Sequence, residues 1–263
     1  MSDIARELSR VGYRNAYIDF CGEGSVPADC ALVVVAGAKD DFSRAEAGRV
    51  DAYLRQGGRL LVLADDAESG GIMSLLPAWG VRPLPPPAAA GPMLSARDVV
   101  ASTFSEHPIV RPLKGSQIVF DRPLVIRPSA AAEQGKGADR IEFAPLAFAG
   151  DSVFASAVER GGRAGEDTAI RPMRLVVIGD AGFVMNAQLS SMASANRDFF
   201  LNCAAYLSGS QAMTGDGTDG SALTLGMPKS ARLAFMATTV LGVPLCVWLL
   251  ALVVPTVRRR RRG

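Results

Sequence analysis

Two short runs, "ALVVVAG" from Ala31 and "RLLVLADD" from Arg59, are apolar at nearly every position. Continuous rather than alternating hydrophobicity marks strands buried on both faces, as in a parallel sheet. Between them "DFSRAEAGRVDAYLRQGG" has the spacing of a helix. Ser43 is placed to cap it, Glu46 three residues on completes a capping box, and Gly57-Gly58 ends it. Strand, helix and strand joined this closely predict a βαβ unit. A third buried strand is predicted in "MRLVVIGD", and an amphipathic helix in "NRDFFLNCAAYLSG", with Phe199, Phe200, Cys203, Ala204 and Leu207 on one side. Ahead of these, Ile4, Leu8 and Val11 space a first helix, and Tyr13–Phe20 reads as a strand. "LLPAWGV" closes a short helix before the proline-rich connector "RPLPPPAAAGP". From about residue 99 to 168 the segments are short and β-branched, a β-rich insertion or an edge extension of the sheet. The fold expected is α/β, an open and mostly parallel sheet of flavodoxin-like or amidotransferase-like kind, over residues 1–208.

The pattern changes after residue 208. Residues 209–230 include "GSQAMTGDGTDGS", the composition of a flexible linker. Leu233–Val257, within a segment taken as 231–257, contains no charged residue. As a helix rising about 1.5 Å per residue it would reach roughly 37 Å, enough to cross a bilayer with some tilt. Arg258, Arg259, Arg260, Arg261 and Arg262 follow directly, in a tail of residues 258–263. Basic flanks stay cytoplasmic, so a single-pass membrane helix is predicted with its C-terminus in the cytoplasm and the arginines anchoring it at the lipid interface. The α/β domain would then lie outside the cytoplasm of a bacterial inner membrane. No basic stretch followed by an apolar one opens the chain, so either the domain stays inside as a tail-anchored protein, against the arginine rule, or Met1 is not the original start; the second is favoured, a longer parent protein with an N-terminal signal anchor.

Charge reinforces this division. Setting the five terminal arginines aside, the formal charge of +2 becomes about −3 for the remainder. A mildly acidic body argues against nucleic acid as a partner. Four cysteines without a CxxC pair, and His107 as the one histidine, argue against zinc; no metal or cofactor is expected. Cys21 and Cys30 fit either a disulfide in an oxidising compartment or small buried thiols, the second being the commoner case.

Candidate chemistry gathers where strands end. Asp65 and Asp66 close "LLVLADD" like a Walker B strand, yet no GxxxxGK[ST] accompanies them, so ATP hydrolysis is excluded. Asp180 in "RLVVIGDAGFVMN" follows a buried strand, where open α/β folds bind ligands. The sequence supplies no second carboxylate or histidine beside it. With Gly179, Gly182, Asn186 and Asn196 it reads first as turn and cap chemistry. His107, before Pro108, reads as a capping or packing residue at a helical turn. No nucleophile elbow is present. The runner-up is an amidotransferase-like or hydrolase enzyme using Asp180 and His107, and a third reading is an extracytoplasmic ligand-sensing domain with a pocket near Asp65 and Asp180.

Several phrases also stand in a familiar order: "VPADCALVVVAGAKDDFSRAEAGRVDAYLRQGGRLLVLADD", "HPIVRPL", "RLVVIGDAGFVMN" and "NRDFFLNCAAYLSG", then linker, apolar span and arginines. This series resembles the C-terminal half of GldG-like proteins, auxiliary components of ABC-type transport systems that include the gliding-motility proteins. The resemblance implies a membrane-tethered, non-enzymatic α/β domain of amidotransferase-like fold without the nucleophile. It also implies an ABC permease and its ATPase subunit as partners, and, because relatives carry a preceding membrane helix and domain, either a truncated product or a separately encoded N-terminal half. Asp65, Asp66, His107, Asp180, Asn186 and Asn196 are then candidates for a ligand or partner surface rather than for catalysis.

Overall fold

The computed structural model describes residues 3–18, 26–37, 43–64, 71–85, 98–134, 140–161, 172–184 and 194–209. Asp65, Asp66, Asn186, Cys21, the expected membrane span and the five terminal arginines lie outside the described residues. Among the described residues no helix is long and apolar enough to cross a membrane.

In chain order the first elements are α1 (Asp3–Arg10), β1 (Val33–Ala36), α2 (Arg44–Arg55), β2 (Arg59–Leu63), α3 (Ile72–Leu75), β3 (Val81–Leu84), β4 (Asp98–Ala101) and β5 (Thr103–Phe104). Then come β6 (Ile118–Asp121), β7 (Val125–Pro128), α4 (Ala130–Gln134), β8 (Ile141–Ala149), β9 (Ser152–Arg160), β10 (Met173–Ile178) and α5 (Asn196–Ser208). The main sheet runs β1-β2-β10-β9-β8-β5. β1, β2 and β10 are parallel, whereas β10 pairs antiparallel with β9, β9 with β8 and β8 with β5. The sheet is therefore mixed. Part of the β-rich stretch extends the same sheet, and the rest enters two antiparallel ribbons, β3–β7 and β4–β6. β3 corrects the expectation that "RPLPPPAAAGP" holds no regular structure: Arg82, Pro83 and Leu84 of it pair with Arg127, Ile126 and Val125, and a two-stranded ribbon tolerates proline because each strand has a free edge.

Burial on both faces is what made β2 and β10 legible. Leu61, Leu63, Val176 and Ile178 enter one core with Leu8 of α1 and Phe199, Phe200, Cys203, Ala204 and Leu207 of α5. Their alternate neighbours Leu60, Val62, Leu175 and Val177 enter a second core with Val50 and Leu54 of α2, Ile72 and Met73 of α3, and Trp79. The period-2 alternation of a strand thus divides one apolar run between two helical layers. The α2 capping box is formed as expected: the Glu46 amide donates to Ser43 Oγ at 3.3 Å and the Ser43 amide to Glu46 Oε2 at 2.6 Å.

The first expected strand is not formed in its described part. Tyr13–Ile18 carries no ladder, and Tyr17 is 89% exposed. Side chains hold this segment instead. Tyr13 hydroxyl and Ser208 Oγ are 2.7 Å apart, and the Asn15 amide donates to Ala5 O and Ser9 Oγ. The alternating apolar pattern survives as anchoring, with Tyr13 against one core and Ile18 against the other.

Candidate functional site

The carboxyl ends of the three parallel strands meet at Gly37, Ala64 and Gly179. The Gly37 amide donates to Leu63 O at 3.1 Å and the Ala64 amide to Ile178 O at 2.8 Å. Gly179 lies under the link between β6 and β7, where the Leu124 amide donates to its carbonyl at 2.6 Å. A Cβ at Gly179 would sit 2.2 Å from Leu124 O, so only glycine permits this approach of two backbones.

Asp180 follows, and its carboxyl is turned inward: the residue is 1% exposed. Its Oδ2 accepts the Asp121 amide at 2.7 Å. Burial pushes its pKa up to about 7, while the amides of Asp121, Gly182 and Phe183 pull the other way and the Asp121 carboxylate adds to the rise. Asp121 is the second carboxylate that sequence reasoning missed. It ends β6, 59 residues away, and nothing in "IVFD" alone points to Asp180. Asp121 Oδ1 and Asp180 Oδ1 are both buried without a hydrogen-bond partner among the described residues. Beside them Arg122 adopts φ +50°, and its Nε lies 3.6 Å from Asp121 Oδ1.

Asn196, fully buried at the start of α5, completes the arrangement. Its Oδ1 accepts the Val119 amide at 2.9 Å, and its Nδ2 donates to Val119 O at 2.8 Å and Phe183 O at 3.2 Å. The side-chain amide therefore pairs with β6 as another strand would. Phe183 lies between Phe120 and Phe199, with ring centroids 6.0 and 5.8 Å away. Asp180, Asp121 and Asn196 together fasten β6 to the Gly182–Val184 turn and to α5.

His107 lies elsewhere. It packs edge-to-face on Tyr206, 4.9 Å between centroids, and its Nδ1 accepts the Ile109 amide at 3.3 Å, as a turn-capping residue would. Burial lowers its pKa, opposed by Glu159 and assisted by Arg174. Tyr206 donates to Glu159 Oε1 at 2.7 Å, and Arg174 Nε is 2.7 Å from the same oxygen. Arg174 begins the strand that Asp180 follows, so His107 and Asp180 are served by opposite ends of β10, roughly 20 Å of extended chain apart. The structure does not bring them together. Cys203 is fully buried, which drives its thiol pKa upward and makes it a poor nucleophile. Cys30 is a free, half-buried thiol donating to Leu32 O at 3.2 Å. Among the described residues no group of three or more His, Cys, Asp or Glu side chains could hold a metal ion.

No protein-family model and no curated protein sequence matches the chain. Its fold is similar to that of a solved structure, the mmIFT52 N-terminal domain. The two share a TM-score of 0.54 at 14% identity, over 77% of this chain and 88% of that one. The likeness is one of architecture. Of the expected surface residues, Asp180 and Asn196 are drawn together but face inward, and His107 joins a separate cluster.

Proposed function

We propose that the protein is a non-enzymatic, membrane-anchored auxiliary subunit of a GldG-like ABC-type transport system, of export or gliding-motility kind, acting by binding a partner protein or cargo. The observation that carries this reading is the inward-turned Asp180. The carboxylate at the position where an open α/β fold presents its chemistry is hydrogen-bonded to the protein's own backbone. The separation of Asp180 from His107 takes support from the hydrolase alternative, which needs a nucleophile or base within hydrogen-bond reach. The order of sequence phrases supports the transport context, and the uncharged Leu233–Val257 run with its five arginines supports a single span with a cytoplasmic C-terminus. The partners are the ABC permease, its ATPase subunit and the bilayer, with Gly242 in the span offering a close-packing point for a permease helix.

The test is co-purification. The tagged full-length chain, expressed with its neighbouring genes, should retain an ABC permease and ATPase through mild detergent extraction. Recovery of the chain without either would overturn the proposal.

A further inference from the structure

We propose that the free edge of β1 is a strand-docking site, which takes one short, extended, apolar segment of a partner polypeptide as an added strand of the main sheet. Backbone direction identifies the open side. The Gly37 amide donates to Leu63 O, across the β1–β2 pair. Successive residues of a strand turn their amides and carbonyls to opposite sides. Val35 and Val33 therefore also serve β2, while the amides and carbonyls of Val34 and Ala36 point away from it. β1 is the outermost strand of its sheet, and among the described residues no backbone group pairs with it on that side. Tyr13–Ile18, although anchored in both cores, forms no ladder with it.

This edge is undefended. Exposed edges are ordinarily blunted by lysine, proline, a bulge or an inward charge. Residues 32–37 contain no charged residue and no proline, and the register of β1 with β2 is unbroken. The β3–β7 ribbon, by contrast, carries Arg82, Pro83, Arg127 and Pro128. Side chains set the chemistry of the occupant. Val33 and Val35 enter the core beneath α2, and Leu32 and Val34 pack against the core beneath α5. A strand laid along β1 meets apolar surface on both faces, so it has to be aliphatic at successive positions rather than at alternate ones. The Cys30 thiol donates to Leu32 O and closes the edge at its start. The open length from Val34 to Ala36 is then about 10 Å of strand. A second copy docked through these two residues has little area to offer against the roughly 1,200 Å² of a stable pair. A single flexible segment can follow the edge and reach both flanking cores.

The edge supplies a surface for the binding role proposed above and rests on that reading. The peptide experiment involves no transport component, so its failure and the failure of co-purification are distinguishable.

The full-length chain in detergent micelles is titrated with a synthetic peptide, Ala-Leu-Val-Val-Val-Ala between pairs of lysines, and amide exchange is read residue by residue. Saturating peptide should slow exchange at Val34 and Ala36 roughly tenfold or more, with little change at Val33 and Val35, whose amides already serve β2. The same peptide N-methylated at each valine lacks the donors and should slow nothing. Val34→Pro removes an outward amide but no bond to β2, so it should keep the parent's melting temperature and abolish the slowing at Ala36. Unslowed exchange in the parent chain, equal slowing by the N-methylated peptide, or equal slowing at Ala36 in Val34→Pro would each overturn the proposal. A peptide-free dimer that Val34→Pro dissociates, seen by light scattering, would make a second copy the occupant and overturn it too. Should Val34→Pro fail to fold, Ala36→Pro read at Val34 carries the same test, and the N-methylated peptide decides without altering the chain.

Discussion

A single side-chain amide does at Asn196 what a neighbouring strand does elsewhere. Replacing it with alanine leaves the half-buried Val119 amide and carbonyl and the buried Phe183 carbonyl without their side-chain partner. The expected loss is on the order of 2–3 kcal/mol, read as a lower denaturant midpoint with an unchanged slope. Asn196→Asp keeps one acceptor, removes both donors and adds a buried charge, so it should be at least as damaging. Glycines give a contrast of sign for one chemical change. Gly179→Ala forces a methyl to 2.2 Å from Leu124 O and should destabilise by about 1–3 kcal/mol. Gly48→Ala, on an exposed stretch of α2 with nothing within 4 Å of the new Cβ, should stabilise by about 0.5–1 kcal/mol. Parallel unfolding curves for the two variants check both directions.

Among the elements, α5 shows how a helix with little local support is held. No side chain caps its start, where Ala195 occupies the N-cap. Its last carbonyls are taken by two arginines from adjacent parallel strands: Arg59 donates to Leu207 O, and Arg174 to Tyr206 O at 3.0 Å. These arginines are register partners across β2 and β10, so the sheet presents two cations to the negative end of the helix. Arg174 also neutralises Glu159, which faces Glu142 directly across β9 and β8. Arg174→Met and Glu159→Gln should therefore couple in a double-mutant cycle by about 1 kcal/mol, where two independent surface sites would give zero. This clamp shows the limit of what the chain's linear pattern reveals. The α2 capping box lies within four residues, and the buried strands β2 and β10 announce themselves by composition, so both were legible. The Arg59–Arg174 pair, the Asp121–Asp180 contact and the pairing of Asn196 with Val119 join residues 59 to 115 positions apart, and no local spacing encodes them. Tyr13–Ile18 failed for a related reason. Its alternation is real, but alternation reports which side chains are buried, not whether the backbone finds a ladder.

At the scale of the whole chain, the proposed membrane reading rests on the uncharged run that follows the α/β unit in sequence and on the five arginines after it. Within residues 1–215, which form one compact unit, the sheet's two ends have different tasks. The carboxyl end is closed over Asp180, and the amino end of β10 grips the last turn of α5, just before Gly209 and the linker composition that follows. The topology reading is testable without knowing that partner. In the native genetic context, a reporter active only outside the cytoplasm and fused at Met1 should be active, while a tag after Gly263 should resist protease added to intact spheroplasts. Replacing Arg258 to Arg262 with glutamates removes the charge asymmetry that orients the span, so it should reduce reporter activity and expose the C-terminal tag. Cytoplasmic placement of the Met1 fusion with the arginines intact would overturn the extracytoplasmic placement of the α/β domain.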